Sequence, residues 1–219
     1  MSNTRGAGAL FDACAPALFV ILWSSGFIGA KLGVGSAEPF TVLLLRFSVV
    51  LIVMLPLALL LRVEWPRNKT EIAHIAAAGL MIQGGYLGGC FSALYHGMPA
   101  GMIALITGLQ PILTAFAAAP MLGERVTRLQ WLGLALGFGG VAMVVWQKIN
   151  LHGMDMISIA WALEALVAIT IGTLYQKRYC PSFDLRAGSV IQFVAAFTIM
   201  LPLALASETM HIDWNLPFV

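Results

Sequence analysis

Met54-Leu55-Pro56-Leu57-Ala58-Leu59 returns unchanged 146 residues later as Met200-Leu201-Pro202-Leu203-Ala204-Leu205. In the same gapless register Gly26 falls on Gly172, Lys31 on Lys177, Ser36 on Ser182 and Phe47 on Phe193. Six common apolar residues could coincide by chance in an apolar chain. The flanking matches, above all two lysines at the ends of apolar runs, argue for a true internal repeat. The two copies lie in runs of the length and polarity that hydrocarbon requires. A spanning helix needs ~20 mostly apolar residues, and seven stretches qualify: 15–34, 40–61, 72–95, 99–121, 129–146, 156–176 and 187–206.

Composition sets the class. Of the 219 residues 60% are hydrophobic and 10% charged, and the net charge is +2. Mean hydropathy is +0.90. A soluble domain carries about 25% charged residues, so this chain has too little polar surface to cover itself in water. That excludes a soluble globular domain, a disordered chain and a basic nucleic-acid binder. Cys14, Cys90 and Cys180 are widely spaced and odd in number, which fits neither a disulfide framework nor a metal site. They read as small apolar residues, and no metal or cofactor is expected. The first apolar run lacks a following small-residue cleavage site and reads as a retained helix. Glycines four apart (Gly84 and Gly88, Gly85 and Gly89, Gly133 and Gly137) allow close helix contact in lipid.

Charge gives the expected orientation. With a cytoplasmic N-terminus, Arg5, Arg62, Arg67, Lys69, Arg125, Arg128, Lys177, Arg178 and Arg186 lie inside. Only Lys31 and Lys148 lie outside, and Arg46 falls within a span. Spans one and two correspond to spans six and seven, so the repeat unit holds five spans. An odd unit inserts its second copy upside down, the plan of many secondary transporters. The expected fold is therefore all-α: a polytopic membrane bundle of about seven helices with inverted five-helix repeats, the second incomplete. The expected domains are residues 1–150 and 151–219.

The first copy resembles the EamA-type repeat of the drug/metabolite transporter superfamily. The resemblance rests on Leu22-Trp23-Ser24-Ser25-Gly26-Phe27 with Lys31, Leu44-Leu45-Arg46-Phe47, and Ala93-Leu94-Tyr95 through Ala100. It continues in Leu109-Gln110-Pro111-Ile112-Leu113-Thr114, Leu122-Gly123-Glu124-Arg125, Gln130-Trp131-Leu132-Gly133 and Gly139-Gly140-Val141. It implies a ten-helix transporter of two inverted five-helix repeats that moves amino acids, metabolites or drugs, often outward, in the inner (plasma) membrane. This chain stops after the seventh span. The expectation is a truncated chain or a fragment; the alternatives are a homodimer of a short protein or a non-transporting subunit that needs a partner chain.

Candidate substrate-binding residues are the polar groups held inside spans. Arg46 lies about 9 Å into span two at 1.5 Å per residue, where it lines a cavity, holds a substrate carboxylate or reaches the interface. Glu164 is the acid deep in span six, suited to a coupling proton or a cationic substrate, or to pairing with Arg46. Gln110-Pro111 interrupts span four, and a freed carbonyl there is a coordination site or a packing kink. Pro56 and Pro202 read as matched kinks. Trp23, Gln83, Tyr86 and Tyr175 add aromatic and polar wall to a small-molecule pocket, or pack the bundle. His74 and His96 read as interfacial, and Glu124-Arg125 as a helix-end ion pair. No G-x4-GK, HExxH or GxSxG pattern occurs, so a nucleotide-driven pump and common hydrolases are not indicated. The expected partners are the lipid bilayer and a small-molecule substrate, with no nucleic acid.

Overall fold

The computed structural model describes residues 15, 18, 20–21, 24–122, 127–152 and 155–214. Trp23, Cys14, Glu124 and Arg125 lie outside the described residues. The described residues form seven helices. α1 covers 24–34 within its described part. α2 is Pro39–Leu60, α3 is Lys69–Tyr95, α4 comprises Ala100–Thr107 and Gln110–Leu122, and α5 is Arg128–His152. α6 is Met156–Tyr179 and α7 is Leu185–Ser207. Each matches an expected span to within about three residues at the bounds that the structure describes, except that α5 runs on past the expected end at 146 to His152. By length and composition α2, α3, α4, α6 and α7 can each cross a membrane. The fold is an all-α polytopic membrane bundle. Helices are forced here because hydrocarbon offers the backbone no hydrogen-bond partner.

α3 is the hub. It packs along α6 and α7, while α2 lies along α7. Glycine makes the approach to α3 close enough. A Cβ on Gly79 would lie 2.6 Å from Cβ of Gln192 on α7. A Cβ on Gly89 would lie 2.7 Å from the carbonyl oxygen of Trp161 on α6 and 2.9 Å from Cβ of Ala165. From the other side, Gly172 of α6 admits Ile82 and Met81 of α3. The first turn of α3 is capped by the Asn68 side chain, which accepts from the Thr70 N–H. Its far end closes with Gly97 at φ 85° and the Met98 N–H bonded to the Ala93 carbonyl. That is the left-handed helix stop in which glycine meets no steric penalty.

Two departures from regular helix were not legible as such. Leu80–Tyr86 of α3 is a π-helical turn, Leu-Met-Ile-Gln-Gly-Gly-Tyr. In α4 the break falls at Gly108–Leu109, ahead of Pro111. The Leu109 N–H bonds the Ile106 carbonyl and the Ile112 N–H bonds the Leu109 carbonyl, so the chain tightens to three-residue spacing there. Pro111 thus stands in the first turn of the second piece, where a missing N–H costs little. α2 and α7 run unbroken through Pro56 and Pro202.

The repeat-matched helices α2 and α7 are antiparallel. At one end the Glu208 carboxylate, just past α7, accepts the Phe40 and Thr41 N–H groups of α2 at 2.8 and 2.7 Å, and the Thr41 hydroxyl at 2.7 Å. Glu38 accepts the N–H and hydroxyl of Thr209 in return. At the opposite end Ala58 and Val63 pack with Ala187 and Val190. Between these ends the repeat mates Phe47 and Phe193 meet edge to face, centroids 5.5 Å apart. The two rings occupy positions that the sequence repeat matches. Asp184 caps α7 by accepting the Arg186 N–H, and it also binds the Arg186 guanidinium. Those bonds hold its carboxyl down at about 2, so the cap stays ionised until the pH falls toward that value. α5 sits at the edge against α4, through Phe116 and Trp131 at 4.5 Å.

The glycine contacts give a direct test. Gly79→Ala and Gly89→Ala each press a methyl group into a neighbouring helix, and overpacking of this kind costs about 1–3 kcal/mol. Gly137→Ala meets nothing within 4 Å. Thermal unfolding in detergent should show lowered midpoints for the first two variants and none for the third.

Candidate functional site: two cavities flanking α3

The π turn and the glycines turn two faces of α3 toward two cavities. Both lie in the half of the bundle where α2 begins and α7 ends.

The first cavity holds about 140 Å³ and lies between α1, α2 and α3. Arg46, Tyr86 and Cys90 line it, with Phe27, Phe91 and Gly26 as apolar wall. Arg46 stands about 10 Å along α2 from its start, at 1.5 Å per residue. Among the described residues no carboxylate lies within ion-pair distance of it. Tyr86 is 6% exposed and Cys90 3%, and they stand one helical turn apart on α3. The space exists partly because of Gly26. Its repeat mate Gly172 is filled by Met81 and Ile82 of α3, whereas nothing lies within 4 Å of a Cβ on Gly26. At about 140 Å³ the cavity is smaller than the pockets that hold drug-sized ligands, which run ~300–1,000 Å³.

The second cavity holds about 340 Å³ between α2, α3, α6 and α7. Its lining is glycine and apolar side chain, with Trp161 and Phe40 as the aromatic members and Glu164 as the acid. Glu164 stands about 12 Å along α6. Its Oε1 would be 3.2 Å from a Cβ on Gly85, and Oε2 abuts the same position on Gly89. A side chain at Gly89 would displace the carboxylate. Glu164 makes no hydrogen bond or ion pair among the described residues. Arg46 and Glu164 therefore do not pair, which corrects that alternative. α3 stands between them: Gly85 and Gly89 face Glu164, while Tyr86 and Cys90, one position on and ~100° round the helix, face Arg46.

The other candidates serve elsewhere. The Gln110 amide donates to the Thr173 hydroxyl at 3.3 Å, tying α4 to α6. Tyr175 shares a 2.7 Å hydrogen bond with Nδ1 of His74, and His74 stacks on Tyr179 with centroids 5.0 Å apart. Gln192 donates to Gln176 at 3.0 Å. Thr173, Tyr175 and Gln176 of α6 thus each bond to a different helix, forming a polar belt at the opposite end of the bundle from the cavities. Gln83 is half-buried in the π turn and lines neither cavity. Cys90, Trp161 and Phe27 line cavities without having been singled out. Cys90 resembled apolar filler, and only its spacing of four from Tyr86 pointed to a shared face.

A bundle of apolar helices that carries Arg46 and Glu164 within its spans, each beside an open cleft, defines an integral membrane protein with charged residues inside its spans. The chain belongs to the EamA-like transporter family, whose model matches residues 12–146. It is 27% identical over 190 residues to a probable amino-acid metabolite efflux pump of Salmonella typhimurium, covering 87% of this chain and 61% of that protein. It is 26% identical over 201 residues to an uncharacterized inner membrane transporter of Escherichia coli (strain K12), covering 92% and 62%. The chain thus spans about six tenths of the length of these relatives.

The two groups of polar residues should separate on substitution. Gln110→Ala and Tyr175→Phe each remove one neutral interhelical hydrogen bond, worth about 0.5–1.5 kcal/mol, and lower the unfolding midpoint. Arg46→Gln leaves a cavity-lining group of similar reach and keeps the midpoint within about a degree. Parallel thermal melts of the three variants in one detergent make the comparison.

Proposed function

We propose that this chain forms part of the pathway of a secondary transporter that exports small carboxylate-bearing metabolites. The observation that carries it is Arg46, a guanidinium inside a span, facing a small cavity with Tyr86 and no acid beside it. A charge in hydrocarbon costs at least ~2.5 kcal/mol and is retained where it has work on a substrate or ion path. Guanidinium fixes a carboxylate through paired N–H bonds, and a cavity of this size suits that head group. The name of the Salmonella relative supports amino-acid metabolites as the substrate class. The antiparallel α2/α7 pair supports alternating access, in which similar elements of opposite orientation rock about a central site. The distribution of Lys and Arg supports a cytoplasmic N-terminus. The two-domain division at about residue 150 belongs to the same reading. So do a gradient as the energy source and a bilayer-embedded pathway completed by further helices or by a second copy.

Uptake of a panel of radiolabelled amino acids into everted vesicles from cells expressing the chain tests this. Wild type should accumulate at least one carboxylate substrate above vector control. Arg46→Gln should raise KM for it about tenfold or more, the cost of one charge-assisted bond. Unchanged uptake in Arg46→Gln contradicts the role given to this residue. Uptake that appears only when a partner chain is coexpressed reassigns the chain as a subunit, and none under either condition contradicts transport.

A further inference from the structure

α1 and α3 line a second opening, nearer the end of the bundle than the Arg46 cavity. It holds about 500 Å³, within the range that admits small organic molecules, ~300–1,000 Å³. The two openings lie in series along one groove. α1 gives Gly26 and Ala30 to the Arg46 cavity, and the next residues on, Lys31 and Val34, to the second opening. α3 gives Leu87 and Phe91 to the first, then Leu94 and Tyr95 to the second. Lys31 follows Gly26 by five residues and Leu94 follows Leu87 by seven. At 1.5 Å per residue the second opening therefore lies about 7–10 Å further along. The turn at residues 35–38 joins α1 to α2 at this end, and Arg46 stands about 10 Å down α2 from there. Depth counted on α2 thus agrees with depth counted on α1 and α3.

Both openings carry one Lys or Arg, and no acid lines either. The repeat mate of Lys31 is Lys177, which closes α6 at the opposite end and lines neither opening. A lysine that only favours the carbonyl end of its helix would do the same work at both places, so the repeat supplies a control. Two cations in series along a groove with low-dielectric walls favour an anion over a cation throughout. Their separation is close to the screening length of about 8 Å at physiological salt, so a carboxylate leaving Arg46 meets the field of Lys31.

We propose that the α1–α3 groove is the path by which a carboxylate substrate passes between the Arg46 cavity and water, with Lys31 as the specificity-determining cation at its mouth. The substrate rests on the carboxylate reading of Arg46, whereas the charge preference of the mouth rests on the groove alone.

Single cysteines in an otherwise cysteine-free full chain, held in lipid nanodiscs, test this: Leu94→Cys at the mouth and Ala30→Cys within. Each is treated with sulfonatoethyl methanethiosulfonate, an anion, or with the trimethylammonioethyl reagent, a cation of similar size. Rates are taken relative to those with free mercaptoethanol. Both cysteines should react, with the anion favoured about tenfold at Leu94→Cys and less so in high salt. Lys31→Gln should abolish that preference, while Lys31→Arg and Lys177→Gln should keep it. In everted vesicles Lys31→Gln should raise KM for a carboxylate substrate about three- to tenfold and leave kcat unchanged. An unreactive cysteine at either place, a preference that survives Lys31→Gln, or an equal loss in Lys177→Gln overturns the path. Charge preference without any carboxylate transport overturns the transport reading and leaves an anion-selective groove. Transport with an unchanged KM in Lys31→Gln overturns this proposal alone.

Discussion

Close backbone approach along α3 is the constraint on which the bundle depends. In hydrocarbon there is little hydrophobic drive to bring apolar helices together, so packing distance decides which pairs form. Gly79 lets α7 reach α3, Gly89 lets α6 reach it, and Gly172 of α6 accepts α3 side chains in turn. Polar bonds then fix the partners in register. Glu208 holds the start of α2 to the end of α7, and the belt of Thr173, Tyr175 and Gln176 binds α6 to α4, α3 and α7. One end of the structure is thus stitched by side-chain hydrogen bonds between helices. The other is held by a carboxylate on helix N–H groups and keeps two cavities open.

The cavities follow from the same glycines. Where a glycine meets an opposing side chain, the helices close, as at Gly172. Where its neighbour is absent, as at Gly26, space remains and a charged side chain can stand beside it. α3 presents Tyr86 and Cys90 on one side and Gly85 and Gly89 on the next. A guanidinium and a carboxylate within the same half of the bundle are kept apart by one helix instead of neutralising each other.

Much of the fold was legible in the sequence because lipid imposes a hard rule. Every span must be long, apolar and helical, so Leu185–Ser207 or Met156–Tyr179 could be bounded from composition to within a few residues. The Met54–Leu59 repeat identified α2 and α7 as mates, and the Phe47–Phe193 contact is where that relation becomes physical. Less of the site was legible. Arg46 and Glu164 stood out because charges in spans are rare. Their directions did not, because the π turn at Leu80–Tyr86 rotates the rest of α3 away from a 3.6-residue wheel, so Gln83 and Tyr86 part company. Gln110 drew attention beside a proline, yet the break lies at Gly108–Leu109, where local bonding to Ile106 was not readable from residue type. Tyr175 looked like pocket wall, and its partner His74 lies 101 residues away in sequence; only the tertiary fold joins them.

The antiparallel pairing of α2 with α7 carries the case proposed for alternating access. Paired cysteines in an otherwise cysteine-free chain test it in native membranes. Ala58 packs with Ala187 near the end of α2 and the start of α7, while Ala204 lies at the other end of α7. Under mild oxidation Ala58→Cys with Ala187→Cys should form a disulfide, and Ala58→Cys with Ala204→Cys should not. A disulfide in the second pair and none in the first would mean that the helices run parallel, and would contradict the account.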